Sequence, residues 1–175
     1  MKPIRLFVLA ACLAACSAPG PREPDRYYLL EAAVAPGAPK RPGPSIAVAP
    51  MSASGFYDTQ EIAYSRTPGT RAYYRFSFWT ERPQRSIHAQ LAARLESAGA
   101  KPALRLRANL DEIYHDAADP PGQARIAITA DVLDPATGAV LGRRTFTRSA
   151  PAASHDAPGA AGDAGRLRVE PGGLA

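Results

Sequence analysis

Polar and apolar residues alternate along three segments in the second half of the chain. The clearest alternation sets apolar Leu104, Leu106, Ala108 and Leu110 against polar Arg105, Arg107, Asn109 and Asp111. The same period of two returns in 124–133 and, less regularly, in 139–148. Because successive side chains of a strand point to opposite faces, these segments predict strands of a sheet with one wet face. Turn residues in 119–122 and 134–138 indicate two hairpins, and the weaker alternation of the last strand predicts a bulge or a sheet edge.

Shorter strands are predicted upstream, in residues 27–30 and 45–50, and Pro50 ends the second. The most aromatic segment follows, in residues 71–79. Read with a period of two, it places Tyr74, Phe76 and Phe78 on one face and Tyr73, Arg75, Ser77 and Trp79 on the other. We therefore predict a half-buried strand with the Trp79 indole on its polar face.

One helix is predicted after the aromatic strand. Pro83 suits the first helical turn, where its missing N–H would have no partner. An apolar stripe at helical spacing comprises Ile87, Leu91, Leu95 and Ala98, and Gly99 supplies a left-handed stop. Taken together, the elements predict an α+β domain: a small antiparallel or mixed sheet with one or two helices packed on one face.

The first fifteen residues have the order of parts of an export signal. Lys2 and Arg5 precede an apolar run of residues 6–15, which is shorter than the roughly 20 residues needed to span a bilayer. The run ends in Leu13-Ala14-Ala15-Cys16, which resembles the lipobox of bacterial lipoproteins. We therefore predict a lipoprotein signal peptide in 1–15 and lipidation of Cys16. Cys12, after a similar Leu-Ala-Ala, and an ordinary secretory cleavage are the alternatives.

The predicted anchor sets the expected location and organisation of the mature chain. The residue after Cys16 is Ser17 rather than Asp, which favours the outer membrane, with the protein facing the periplasm. A Pro-rich tether is predicted for 16–26 and a folded domain for 27–150. The tail, 151–175, is rich in Pro and Gly, so it is predicted either to be disordered or to result from a shifted reading frame near Gly159. In both cases one face of the sheet is left partly uncovered.

Composition excludes several classes of function. Of the two Cys residues, Cys12 leaves with the predicted signal peptide and Cys16 is used for the predicted lipid, so no disulfide or Cys-based metal site is expected in the domain. The net charge of +5 falls to about +3 when Lys2 and Arg5 are removed, which is too small to indicate nucleic-acid binding.

No motif indicates an enzyme. His88, His115 and His155 have no zinc-ligand spacing, and no Ser lies in a Gly-x-Ser-x-Gly elbow. Tyr114-His115-Asp116 is the one local group with acid and base character, and such strand-end residues are usually solvated. We expect no catalytic residue, metal or cofactor, with a periplasmic hydrolase using His115 as the weaker alternative.

The order of motifs from about residue 27 to 151 resembles the ABC-type transport auxiliary lipoproteins. The resemblance rests on the lipobox, Tyr27-Tyr28-Leu29-Leu30, Ser45 to Pro50, Phe78 to Pro83, Leu104 to Tyr114, and Leu141 to Phe146. It implies a non-catalytic partner of an MCE-domain protein and of an ABC permease and ATPase, in lipid transport between the two membranes. The segment 99–104 is shorter than in that family, and the tail lacks its usual second amphipathic helix. A free-standing structural or stress-related envelope lipoprotein is the alternative.

The aromatic strand supplies the candidate contact residues. Tyr73, Tyr74, Phe76, Phe78 and Trp79 are predicted either to contact lipid or a partner protein or to serve as core and edge packing. A base-stacking role is disfavoured because an exported protein meets little nucleic acid. The domain is also a candidate for self-association.

Overall fold

The fold is that of a computed structural model, which describes residues 23–30, 43–96, 99, 101–153 and 156. The predicted signal peptide, Cys16, most of the tether, His155 and most of the tail lie outside the described residues. No helix in the described part is long and apolar enough to cross a membrane.

The described residues form one mixed sheet, one α-helix and one short 3-10 turn. The strands are β1 (Arg26–Tyr28), β2 (Ile46–Val48), β3 (Ser52–Ala53), β4 (Glu61–Ser65), β5 (Ala72–Trp79), β6 (Leu104–Asp116), β7 (Gln123–Leu133) and β8 (Val140–Pro151). The helix, α1, spans Pro83–Leu95, and the 3-10 turn spans Gly55–Tyr57. The α+β class is confirmed. The sheet has eight strands, so the prediction of a small sheet is wrong.

Strand β6 is the centre of the sheet, whose main path runs β1-β5-β4-β6-β7-β8. One side of β6 pairs with β7 in antiparallel fashion over nearly its whole length. Its other side is shared by three shorter parallel strands: β2 pairs near Leu104, β3 near Leu110 and β4 near His115. Strands β1 and β8 therefore form the two edges of the path.

A bulge in β6 changes which of its residues face the core. Leu110 pairs with Ile128 and Glu112 pairs with Ala127, so Asp111 is the extra residue. The predicted alternation holds as far as Leu110, which is fully buried. Beyond the bulge the buried positions become Ile113 and His115. His115 is 0% exposed, so the expectation of a solvated strand end is wrong.

The core lies under the junction of β4, β5 and β6 and comprises Leu30, Tyr57, Ile62, Ala63, Trp79, Leu110 and Ile113. Trp79 is only 3% exposed, so its predicted place on a polar face is wrong. The cause is the pairing of β5 with β4, in which Ala63 pairs with Tyr73 and Glu61 with Phe78. Strand β5 advances five residues where β4 advances two. Strand β5 thus contains three extra residues between these two pairs. Because three is an odd number, side chains after the extra residues point to the opposite face from the one that a regular alternation predicts.

Helix α1 begins at Pro83, as predicted, but ends at Leu95 rather than at Gly99. Its C-terminal cap is Glu96 with φ −82°, whereas Gly99 has φ +73° in the loop that follows. The helix is fixed by polar contacts as well as by apolar packing. Ser86 and Gln90 both donate to the Leu30 carbonyl, at 3.0 and 2.9 Å, so the helix holds the chain just after β1.

The hairpin turn between β7 and β8 is confirmed. The Asp134 carboxylate accepts hydrogen bonds from the N–H groups of Ala136 and Thr137, each at 2.8 Å. Gly138 adopts φ +71°, as the predicted turn requires. The other predicted turn, at 119–122, joins β6 to β7.

Candidate functional site

The five aromatic candidates of β5 do not form one surface. Trp79 belongs to the core, and the other four lie in three separate environments. Only those aromatic residues that lie at an exposed part of the sheet are placed to contact lipid or a partner.

Tyr74 belongs to a buried polar pair. Its hydroxyl lies 2.8 Å from His115 Nδ1, and its ring centroid lies 4.6 Å from that of Tyr64. His115 Nε2 lies 3.1 Å from the Pro121 carbonyl. Since a carbonyl can only accept, His115 donates from Nε2, and its Nδ1 pairs with the Tyr74 hydroxyl. Burial raises the pKa of Tyr74 to about 12. The pair therefore ties β5 to the turn between β6 and β7.

The Tyr114-His115-Asp116 group is not assembled as a catalytic trio. The Arg71 guanidinium lies 3.6 Å above the Tyr114 ring, and Asp116 forms an ion pair with Arg125 at 3.0 Å. His115 points instead to Tyr74 and Pro121. The three residues thus have different partners. Within the described residues no group of three or more His, Cys, Asp or Glu is placed to hold a metal ion.

Tyr73 packs against the 3-10 turn. Its ring stacks on Phe56 with centroids 4.5 Å apart, and its hydroxyl donates to the Phe56 carbonyl at 2.6 Å. Next to it, Arg71 donates to the Tyr57 hydroxyl at 3.0 Å. Burial is the main cause that raises the pKa of Tyr57. This environment fixes the turn onto the sheet.

Phe76 and Phe78 lie at the β1 edge, where apolar side chains are exposed. Phe78 stacks on Tyr27 with centroids 5.6 Å apart, and Tyr27 is 62% exposed. Leu29 is 64% exposed. Phe76 lines an open cleft together with Glu23, Pro24, Asp25 and Arg75. We call Tyr27, Leu29, Phe76 and Phe78 the anchor-side surface, because the chain reaches it from the predicted tether.

The two exposed members of this surface were absent from the sequence-based candidates. Tyr27 and Leu29 lie in a segment that the sequence predicted only as a strand. Their exposure follows from the alternation along the chain: Tyr28 and Leu30 pack into the core, so Tyr27 and Leu29 point to the opposite side. A signal was present in Tyr27-Tyr28-Leu29-Leu30, where consecutive large apolar residues cannot all face one side of a strand.

A second exposed region was also missed, at the β8 edge. Val140 is 51% exposed and Leu141 60% exposed. The strand carries Arg143, whose guanidinium donates to the buried Asp131 carboxylate at 2.6 and 3.0 Å. Arg107 of β6 donates to the same carboxylate at 2.7 Å. The hydrogen bonds from Arg143 and Arg107 hold the pKa of Asp131 well below its ordinary value.

Comparison with protein families decides the identity of the domain. The family model described as the ABC-type transport auxiliary lipoprotein component matches residues 27–165. The chain belongs to this family. The match continues past Pro151, where the sequence-based resemblance ended. As an ABC-type transport auxiliary lipoprotein, the chain is assigned to the cell envelope and to a transport-associated role.

Solved structures show where else this fold of the auxiliary lipoproteins occurs. The protein XCC0632 from Xanthomonas campestris, of family DUF330, matches with a TM-score of 0.69 at 22% identity, over 80% of this chain and 86% of that one. A second, uncharacterized protein matches with a TM-score of 0.60 at 10% identity, over 82% and 90% of the two chains. At these identities the likeness concerns the fold. No curated protein matches the chain.

Proposed function

We propose that this auxiliary lipoprotein is a non-catalytic accessory of an MCE/ABC-type lipid transport system between the inner and outer membranes. In this proposal it is lipid-anchored through Cys16 to the outer membrane and faces the periplasm. The observation that carries the proposal is the match of residues 27–165 to the transport auxiliary family. The MCE protein, the outer-membrane location and the lipid cargo are the parts that go beyond that match.

The anchor-side surface is the proposed contact site for the transport partner. Exposed aromatic residues contribute disproportionately to protein interfaces, because they bury a large apolar area at a small cost in side-chain entropy. Here the Tyr27 ring is already ordered by its stack on Phe78. The neighbouring Leu29 side chain extends the apolar area. Phe76 and Phe78 are therefore the members of the sequence-based group that we propose to take part in binding, beneath Tyr27.

The length of the tether limits where this surface can act. Arg26 lies ten positions after Cys16 in the sequence. An extended Pro-rich segment of that length spans about 30 Å. If Cys16 carries the lipid, the anchor-side surface stays within that distance of the membrane. A partner that delivers or accepts lipid at the membrane would meet this surface first.

A pull-down from detergent-solubilised membranes tests the assignment. The wild-type lipoprotein is expected to recover an MCE-domain protein together with the ABC permease and ATPase. The double variant Tyr27→Ser/Leu29→Ser should remove this recovery while the protein stays folded by circular dichroism. Phe56→Ser is the matched control, because Phe56 is also an exposed aromatic residue but packs on Tyr73 outside the surface.

Two outcomes would count against the proposal. Recovery of no transport component by the wild type would favour the free-standing structural or stress lipoprotein. Equal loss of recovery in the Phe56 variant would place the contact elsewhere. Intact mass of the mature protein tests the proposed anchor separately. In Cys16→Ser the added mass of the acyl chains should be absent and the protein should leave the membrane fraction; unchanged sedimentation would overturn the proposed lipidation.

A further inference from the structure

Strand β8 is an unusually long edge. It spans twelve residues and pairs with β7 along its length, from Leu133 opposite Val140 to Gln123 opposite Pro151. Strands in globular proteins commonly have about five or six residues. Within the part of the chain that the structure describes, no element pairs with the opposite side of β8. That side presents a row of backbone N–H and C=O groups, which can template another strand.

The charge of β8 selects the kind of strand that can be added. Residues 140–151 contain Arg143, Arg144 and Arg148 and no acidic residue. Arg143 and Arg107 share one carboxylate, that of Asp131, so this part of the face retains positive charge. The Arg144 guanidinium lies 5.3 Å from the centroid of the Phe146 ring and rests on an aromatic surface. The edge is therefore basic along its middle.

Pairing of β8 with a second copy of itself is disfavoured by this charge. In a two-fold antiparallel pair, the arginines of one strand face the basic middle of the other, and like charges across a sheet destabilise it. Protection against aggregation would explain the arginines alone, since natural edges often carry charge. It does not explain the exposed Val140 and Leu141 on the same strand, nor its length. An acidic strand with an apolar end complements all three features.

We propose that β8 is a docking edge for an extended acidic segment of a partner protein, which adds as a further strand of the sheet. Backbone hydrogen bonds to the free side of β8 supply affinity, and alternate side chains supply specificity. Carboxylates on one face of the added strand pair with Arg144, and apolar side chains of the added strand cover the exposed end of β8 at Val140 and Leu141. This site is separate from the anchor-side surface and does not depend on the identity of the transport partner.

The test uses the purified full-length lipoprotein in detergent micelles and two synthetic probes. The first is a twelve-residue peptide of alternating Glu and Val, and the second replaces each Glu by Lys. Fluorescence anisotropy should detect binding of the Glu peptide, weakened by added salt, and no binding of the Lys peptide. Arg144→Glu should weaken binding of the Glu peptide about tenfold or more, since it turns an attraction into a repulsion. Arg105→Glu, an exposed arginine of β6 away from the edge, is the matched control and should change binding less than about twofold.

Hydrogen exchange separates strand addition from simple charge attraction. Bound Glu peptide should slow exchange at alternate amides of β8, those on its free side, and leave β7 unchanged. Protection elsewhere, or equal weakening by Arg144→Glu and Arg105→Glu, would overturn the proposal. A wild-type dimer detected by sedimentation without peptide and strengthened by Arg144→Glu would overturn it in favour of a second copy. Because no transport component is present, these results are independent of the pull-down.

Discussion

The two edges of the sheet differ in length, in pairing and in what they expose. Strand β1 has three residues, pairs in parallel with β5, and presents the ring of Tyr27 stacked on Phe78. Strand β8 has twelve residues, pairs in antiparallel fashion with β7, and presents arginines and a backbone row that no other described element pairs with. A partner could therefore bind the short edge through side-chain contacts and the long edge through backbone hydrogen bonds. One sheet can thus carry two binding surfaces that depend on different physics.

The largest effect is expected from Trp79→Ala, beneath the β1 edge. Trp79 pairs with Tyr28 in register and lies in the core. Truncation should lower the free energy of unfolding by about 3–5 kcal/mol, through lost burial and a cavity. Urea denaturation measures this, with Phe78→Ala as the control that should cost less because Phe78 lies against exposed Tyr27. A stable Trp79→Ala protein that no longer recovered its partners would instead make Trp79 a contact residue.

A smaller effect is expected from Gly122→Ala, which acts on the far end of β8. Gly122 has φ +93°, and an added Cβ would meet the His115 imidazole and lie 2.6 Å from the Asp116 carbonyl oxygen. Its own carbonyl accepts from the Ala152 N–H at 2.9 Å, just after β8 ends. We expect a loss of about 2–4 kcal/mol from backbone strain and overpacking.

The matched control for Gly122→Ala is Gly138→Ala, at the other end of the β7–β8 hairpin. Gly138 has φ +71° but nothing within 4 Å of an added Cβ. Its substitution should cost only the backbone term, about 1–2 kcal/mol. Thermal unfolding of the two variants compares them, and equal losses would show that the close approach to His115 has no energetic weight.

Asp131→Asn should have a smaller, pH-dependent effect on the attachment of β8. The neighbouring arginines lower the pKa of the folded-state carboxyl below its ordinary value of 3.8. The charged form therefore stabilises the fold at pH values above 3.8, and this stabilisation is lost as pH falls through the folded-state pKa. Wild type should exceed the variant in urea midpoint at pH 7, and the gap should narrow towards pH 3. A constant gap would mean that packing, not charge, holds Arg143 to β7.

The smallest effects on stability are expected at the exposed residues of the two edges. Leu141→Ser should change the free energy of unfolding by less than about 0.5 kcal/mol. Tyr27→Ser should cost about 1 kcal/mol at most, because it removes one exposed ring stack. The two variants should nevertheless differ in binding. Only Tyr27→Ser should impair recovery of transport components, and only Leu141→Ser should weaken binding of the Glu peptide. If either variant lost both recovery of transport components and binding of the Glu peptide, the two surfaces would act as one binding site.

The sequence pattern alone predicted the elements whose geometry is set by nearby residues. The alternation of 104–110, the turn at Asp134 to Gly138 and the helix start at Pro83 are all as predicted. The bulge at Asp111 and the surplus residues of β5 were not predictable. Each arises from pairing with a neighbouring strand, between partners that lie ten to eighteen positions apart in the sequence. A one-residue shift moves every later side chain to the other face. The burial of Trp79 and His115 follows from these shifts.

The candidate surface was located only in part for a related reason. The sequence selected the aromatic strand, yet β5 is an internal strand and most of its rings are packed. The exposed apolar side chains Tyr27, Leu29, Val140 and Leu141 lie at the two edges of the sheet. Which strand becomes an edge depends on the strand order rather than on the residues of that strand. The weak alternation of 139–148 did indicate an edge, and β8 confirms that prediction.

The side of β6 that pairs with three short strands affects which parts of the sheet open locally. The β6–β7 ladder runs along nearly the whole of β6, interrupted by the bulge at Asp111, whereas β2, β3 and β4 each pair with a separate stretch of the opposite side. Short segments can detach one at a time, while a long ladder opens cooperatively. Transient openings should therefore be frequent among the three short strands and rare along the β6–β7 ladder. Motion on the side of the tether would then be largely uncoupled from the basic edge, which leaves each free to engage its own partner.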